Sequence, residues 1–393
     1  MTKEEFKDIA PFDDNEVQEV MKRLVKEPGF EHAVRFVIPN VDYAKFSQML
    51  LSLKTKLDFQ VKAIVPFLDG IISRTTDGLS ASGFEGVREK DACMFISNHR
   101  DIVLDAAFLN YLLHKNGLNT TEIAIGDNLL IYEWIDNLVR LNKSFIVRRG
   151  LKMTQALEAS KHLSAYIRYA ITEKHQSVWI AQREGRAKDS NDVTQESLLK
   201  MLGQLSGEGT LLENIMALNI APVSITYEFD PNDYLKAREF LLRRRDPEFQ
   251  KTQRDDLFSM ETGMLGYKGR VHYTFNKCIN PAIAHLADST DRVEVLHGVR
   301  EAIDQAIHAG YEVFKINYIA YDQLNDTDHF ADKYDFDDIV DFDNYISAQL
   351  DKVDVPDISE DEDMFMRDMM LQMYANPLTN KLIALGEEDD SEE

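Results

Sequence analysis

The sequence predicts an α/β protein: a mostly parallel sheet flanked by helices, with an N-terminal helical region over 1–85, a sheet-bearing domain over 86–320 and an acidic C-terminal appendage over 321–393. Three observations predict it. Short apolar runs, such as 144–147 (SFIV) and 177–181 (SVWIA), alternate with amphipathic stretches of ten or more residues. Residues 14–75 instead carry apolar side chains at helical spacing throughout. Finally, 23 acidic and only 4 basic residues crowd 322–393.

Taken in order, Phe46, Met49, Leu50, Leu53 and Leu57 lie on one helical face opposite Lys45, Lys54 and Lys56, so one amphipathic helix is expected over 45–57. Strands are expected at 91–97 (DACMFIS), 144–147, 177–181, 219–227 (NIAPVSITY) and 270–275. Between them the pattern predicts helices over 102–113, 153–173, 233–245 and 293–314. Gly263, Gly266 and Gly269 read as a turn into the last strand. In the appendage, Met366, Met369, Met370 and Met373 form one helical stripe. Pro356 and Pro377 should bound it as a short, separate helix, docked on this chain or on a second copy. The final seven residues hold six carboxylates, a density of like charge expected to stay solvated and disordered.

Composition narrows the function. The chain has 393 residues, 44% hydrophobic, enough for a sizeable core. Its two cysteines exclude a disulfide framework and a CxxC-type zinc site, and no metal site is expected. A net charge of −24 argues against non-specific nucleic-acid binding. No run of about 18 apolar residues is present, so no spanning helix is expected. The acidic start, lacking an apolar core, predicts no signal peptide.

One constellation carries chemistry. Asn98-His99-Arg100-Asp101 follows the first strand, and Asp105 comes six residues after His99. A histidine at a strand end projects into the cleft where α/β proteins bind ligands. A carboxylate one or two turns on can hold its second nitrogen, which is what a general base acting on an alcohol requires. Rival readings fail. A kinase catalytic loop needs Asn where Ala106 stands, Gly78-Leu79-Ser80-Ala81-Ser82 lacks the last glycine of a nucleophile elbow, and no glycine-rich stretch ends in Gly-Lys-Ser/Thr. Arg148, Arg149, Arg183, Arg186 and Lys188 all come just after predicted strands, so they can converge on one edge, where arginine forks suit phosphate oxygens.

The blocks 99–118 (HRDIVLDAAFLNYLLHKNGL), 125–129 (IGDNL), 144–149 (SFIVRR), 183–188 (REGRAK) and 221–228 (APVSITYE) stand in this order. Together they resemble the glycerophospholipid acyltransferase superfamily, and among its branches the bacterial glycerol-3-phosphate acyltransferases, over about residues 90–280. The resemblance implies that fold for the domain. It also implies transfer of a fatty acyl group from acyl-CoA or acyl-carrier protein to a glycerol phosphate hydroxyl, with no cofactor beyond the acyl donor. Under it His99 is the base, Arg148 and Arg149 match the basic end of the second block, Gly185 and Arg186 the third, and Pro222 the fourth, with Lys188 also on the phosphate side. The family usually leaves four residues between its His and Asp, whereas Asp105 follows five. Either one residue bulges out or Asp101 takes the role; the apolar helix after Asp105 continues in register and favours Asp105. The third block is one residue short between Glu184 and Arg186, which leaves the role of Glu184 open.

Two further readings stay open: a 1-acyl-glycerol-3-phosphate (lysophosphatidate) acyltransferase, and a non-catalytic lipid-binding scaffold of the same fold. For the enzyme, a cytoplasmic place on the inner face of the membrane is expected, bound peripherally through the 45–57 helix or the basic helix with Arg243, Arg244 and Arg245. A homo-oligomer is a further possibility, and the acidic appendage is expected to stand apart from the chemistry.

Overall fold

The sheet has seven strands among the described residues: β1 (Gly78–Ser82), β2 (Met94–Ser97), β3 (Glu122–Gly126), β4 (Ser144–Val147), β5 (Val178–Ala181), β6 (Ile220–Tyr227) and β7 (Arg270–Phe275). A computed structural model describes residues 3–38, 40–88, 92–204 and 209–387. The spatial order is β1-β7-β6-β2-β5-β3-β4, and every neighbouring pair is parallel except β6 and β7. The five expected strands are all present. β1 and β3 are additions, β1 a small-residue edge strand with little apolar signal.

The central strand shows why these runs read as unbroken apolar segments. Met94 and Ile96 of β2 face one helical layer, Phe95 faces the other, and all are buried. The first layer holds the helices Met153–Thr172 and Arg292–Ala309; the second holds Val65–Thr75 and Leu104–Lys115. In chain order the labelled helices are α1 (Val17–Leu24), α2 (Pro28–Val37), α3 (Tyr43–Leu51), α4 (Val65–Thr75), α5 (Leu104–Lys115), α6 (Glu133–Leu141), α7 (Met153–Thr172), α8 (Asp233–Arg245), α9 (Gln253–Leu265), α10 (Arg292–Ala309), α11 (Lys315–Asn325), α12 (Phe336–Leu350) and α13 (Glu360–Leu385). Ile303 of α10 is fully buried under the sheet, so truncating it to Ala should cost about 2–5 kcal/mol.

Three expected helices change shape. The 45–57 helix is broken: Ser52 Oγ donates to the Met49 carbonyl, and Thr55 with Asp58 forms a capping box that starts a new helix at Lys56. A local cap therefore overrides the apolar periodicity, although Leu53 still reaches the N-terminal core. The helix expected over 293–314 ends at Ala309, and Tyr311 turns in under the sheet. The Met-rich helix is not short. It runs 26 residues as α13, through Pro377. A proline inside a helix costs about 3 kcal/mol. That cost is offset by burial of Met366, Met370, Leu371, Met373 and Tyr374 against α8, α11 and α12. The appendage thus packs on its own chain. Of the acidic end, residues 388–393 lie outside the described residues. Among the described residues no helix is long and apolar enough to cross a membrane.

Candidate active site

β2 delivers its last residues to the carboxyl edge of the sheet, where the chain must turn into α5. Asn98 clamps that turn: its amide donates to the Ile225 carbonyl at 2.8 Å and accepts from the Ile225 N–H at 2.8 Å. Trp179 Nε1 donates to Ser97 Oγ at 3.0 Å, and its ring meets the His99 ring edge-on at 5.9 Å between centroids. His99 thus sits on a clamped turn with the Trp179 ring against it.

His99 Nδ1 lies 2.8 Å from Asp105 Oδ2. Since a carboxylate only accepts, Nδ1 carries the proton, and Nε2 is the nitrogen left for the cleft that His99 lines. The five intervening residues fit without strain. The Arg100 and Asp101 N–H groups both donate to Asp105 Oδ2, at 2.6 and 3.0 Å, while Asp101 Oδ1 accepts from Val103 and Leu104 N–H at 2.8 and 2.7 Å. Asp101 therefore folds the turn and starts α5, and Asp105 meets the histidine. Burial pushes the Asp101 carboxyl up, with the Asp105 charge adding to it. Gly263 of α9 is required here: a Cβ on it would fall 1.8 Å from Asp101 Oδ2. That glycine sits in a helix, not in the turn expected of it.

One cleft of about 1740 Å³ opens at this edge. His99, Arg148, Arg149 and Arg183 line it, as do Glu184, Gly185, Arg186 and Lys188. Arg149 reaches Glu184 at 3.5 Å, and the more exposed Arg148 lies 3.9 Å from Asp127. Gly185 turns the chain with φ +69°, the left-handed region that favours glycine. Arg186 is buried. With its amide oxygen toward the guanidinium, Asn232 accepts from Arg186 Nη1 at 3.3 Å and donates to the Ser259 carbonyl at 3.1 Å. Lys188 Nζ lies 3.1 Å from Glu239, yet burial, with the Arg186 charge beside it, pulls its pKa down to about 7. Pro222 stands apart from the cleft, buried in β6 opposite Ile96. Its carbonyl accepts from Asn276 N–H at 2.9 Å, so the donor it lacks would point to the β7 side and spares the β2 ladder.

The same cleft also has an apolar lining. Phe36 of α2, Phe67 of α4, and Ile135 and Leu138 of α6 line it. Beneath the floor, Arg100 pairs with Asp192 at 2.6 Å, and Tyr311 donates to the same carboxylate at 2.6 Å. Removing one partner of such a buried pair costs about 3–5 kcal/mol. Sequence reasoning missed Asp192, Asn232 and Glu239, because nothing near them in the chain signals a partner far along it.

A family model described as Acyltransferase matches residues 79–224. A glycerol-3-phosphate acyltransferase of Pseudomonas syringae pv. tomato is 30% identical over 138 residues, 33% of this chain. The matched stretch spans only 16% of that relative's length. The crystal structure of the 1-acyl-sn-glycerophosphate (LPA) acyltransferase PlsC from Thermotoga maritima aligns with 74% of this chain and 93% of its own, at a TM-score of 0.37 and 10% identity.

Proposed function

We propose that this chain, whose residues 79–224 match the Acyltransferase family model, moves a fatty acyl group from acyl-CoA or acyl-carrier protein to the hydroxyl of glycerol 3-phosphate. One observation carries the reading: a single cleft is lined by basic and by apolar side chains, and His99 with Asp105 behind it stands in that cleft. The basic lining, with Arg148, Arg149, Arg186 and Lys188, suits the acceptor's phosphate. The apolar lining suits the acyl chain. In the reaction His99 Nε2 takes the proton of the acceptor hydroxyl, whose oxygen attacks the thioester carbonyl. The tetrahedral intermediate expels the thiolate, which receives that proton from the imidazolium. Asp105 keeps the proton of Nδ1 in place and supports the transient positive charge. No cofactor enters this scheme.

Lipid product calls for contact with a membrane surface, proposed here at the cleft mouth rather than on α8. There Leu151, Met153 and Leu157 are exposed beside Arg148 and Lys152, whereas Arg244 and Arg245 of α8 are already engaged by Asp361 and Glu362.

Acyl transfer assayed against three acceptors tests the reading. Turnover is expected with glycerol 3-phosphate, little with unphosphorylated glycerol, and a loss of ~10²–10⁴-fold in His99→Ala with the fold retained. A clear preference for the 1-acyl acceptor moves the assignment to the lysophosphatidate reaction. No turnover with any acceptor leaves a lipid-binding scaffold.

A further inference from the structure

The acidic appendage touches the basic lining of the cleft by two separate routes, both from one turn of α13. Tyr374 OH donates to Asp233 Oδ2 at 2.8 Å and accepts from the Asp230 N–H at 3.2 Å, so it ties both ends of the 230–233 segment. The segment is closed from within, since Asp230 Oδ1 accepts from Asn232 N–H at 2.8 Å and Lys236 Nζ lies 2.5 Å from Asp230 Oδ2. With its amide oxygen toward the guanidinium, Asn232 then accepts from Arg186 Nη1 at 3.3 Å. The second route is direct: Asn376 Nδ2 donates to the Asp189 carbonyl at 2.7 Å, one residue past Lys188. Tyr374 is itself fixed. Asn317 Nδ2 donates to its carbonyl at 2.8 Å, and Tyr345, which also donates to Asp233 Oδ2, lies 3.2 Å away, hydroxyl to hydroxyl.

A buried arginine has no water to share its donors with, so its fork points where its fixed partners direct it. The Met stripe does different work, filling the groove between α8, α11 and α12 with apolar surface. Two polar contacts aimed on either side of one short basic segment are more than packing requires.

Resting on the reading that this basic lining receives the acceptor's phosphate, we infer that Tyr374 and Asn376 are positioning residues for acceptor recognition. Tyr374 acts through Asp233, Asp230 and Asn232 on Arg186; Asn376 acts through the Asp189 carbonyl on Lys188. The C-terminal unit is therefore part of the substrate-binding apparatus.

Tyr374→Phe removes one hydroxyl and keeps the ring. Met366→Leu, on the same helix but touching neither route, is the packing control, a swap that keeps volume nearly constant. In the full-length chain Tyr374→Phe should raise the acceptor KM about tenfold, the order of one hydrogen bond, with kcat and donor KM nearly unchanged. The control should leave acceptor KM at the wild-type value. In an Arg186→Ala background the Tyr374→Phe effect should disappear, because the route then ends on nothing. Backbone hydrogen exchange over 186–189 should quicken in Tyr374→Phe and not in the control. An unchanged acceptor KM, or an effect that persists undiminished without Arg186, overturns the inference. If the wild type transfers no acyl group, the activity reading falls by itself. The exchange comparison then decides: faster exchange at 186–189 upholds the positioning role, and wild-type rates overturn it.

Discussion

His99 shows how much one hydrogen bond can specify. Its Nδ1 is committed to Asp105 at 2.8 Å, which sets the tautomer. Asp101 is spent on the Val103 and Leu104 N–H groups. Asparagine at 105 could present an amide donor to the imidazole and favour the wrong tautomer, whereas asparagine at 101 still accepts from backbone N–H. Asp105→Asn is therefore expected to lose ~10²–10⁴-fold in kcat, and Asp101→Asn much less. The opposite order in a steady-state assay would give Asp101 the role. Lys188 carries a second expectation. Its pKa of about 7 leaves it mostly neutral near pH 8. A phosphate dianion arriving beside it favours the charged form, so the complex must take up a proton. Calorimetry of glycerol 3-phosphate binding in buffers of different ionisation enthalpy should show that uptake near pH 8, and Lys188→Met should abolish it.

Among the elements, α8 and α13 settle where charge is free to act. Three consecutive arginines at the end of α8 read, in sequence, as a lipid-binding cluster. In the fold Arg243 turns back to Glu239, Arg244 meets Asp361, and Arg245 meets Glu362 and the Pro356 and Asp357 carbonyls. The acidic first turn of α13 is favourable there in its own right, since carboxylates suit a helix N-terminus. At the start of α7 the opposite holds: Met153 is 89% exposed, with Lys152 beside it. Flotation with anionic vesicles should therefore weaken in Met153→Asp/Leu157→Asp and hold in Arg244→Ala/Arg245→Ala. Loss of flotation in the arginine variant alone would return the membrane face to α8.

Over the whole molecule, the appendage closes a core that the rest of the chain leaves open. Truncation after Leu350 would remove α13 and bare Ala237, Leu241, Phe314 and Ile319, which it helps to bury. It would also cut both routes to Arg186 and Lys188. The truncated chain is expected to lose acyl transfer and to show weakened near-ultraviolet circular dichroism; a folded, active truncation would separate the appendage from the site. What the sequence by itself determined lies in local pattern. Apolar runs bounded by polar loops marked β2, β4, β5 and β6, because strands largely covered on both faces cannot hide their composition, while alternation marked β7, whose buried residues are Val271, Tyr273 and Phe275. Helical periodicity after Asp105 marked the residue that meets His99, because α5 must keep its apolar face on the sheet. Tertiary structure decided the rest. The antiparallel run of β7, the passage of α13 through Pro377, the placing of Asn232 and Glu239 against Arg186 and Lys188, and the tie from Tyr374 to Asp233 have no local signature. Tyr374 and Asp233 lie 141 residues apart in the chain. A buried polar group must find a partner, but which one it finds depends on how distant elements pack, and composition and periodicity do not encode that.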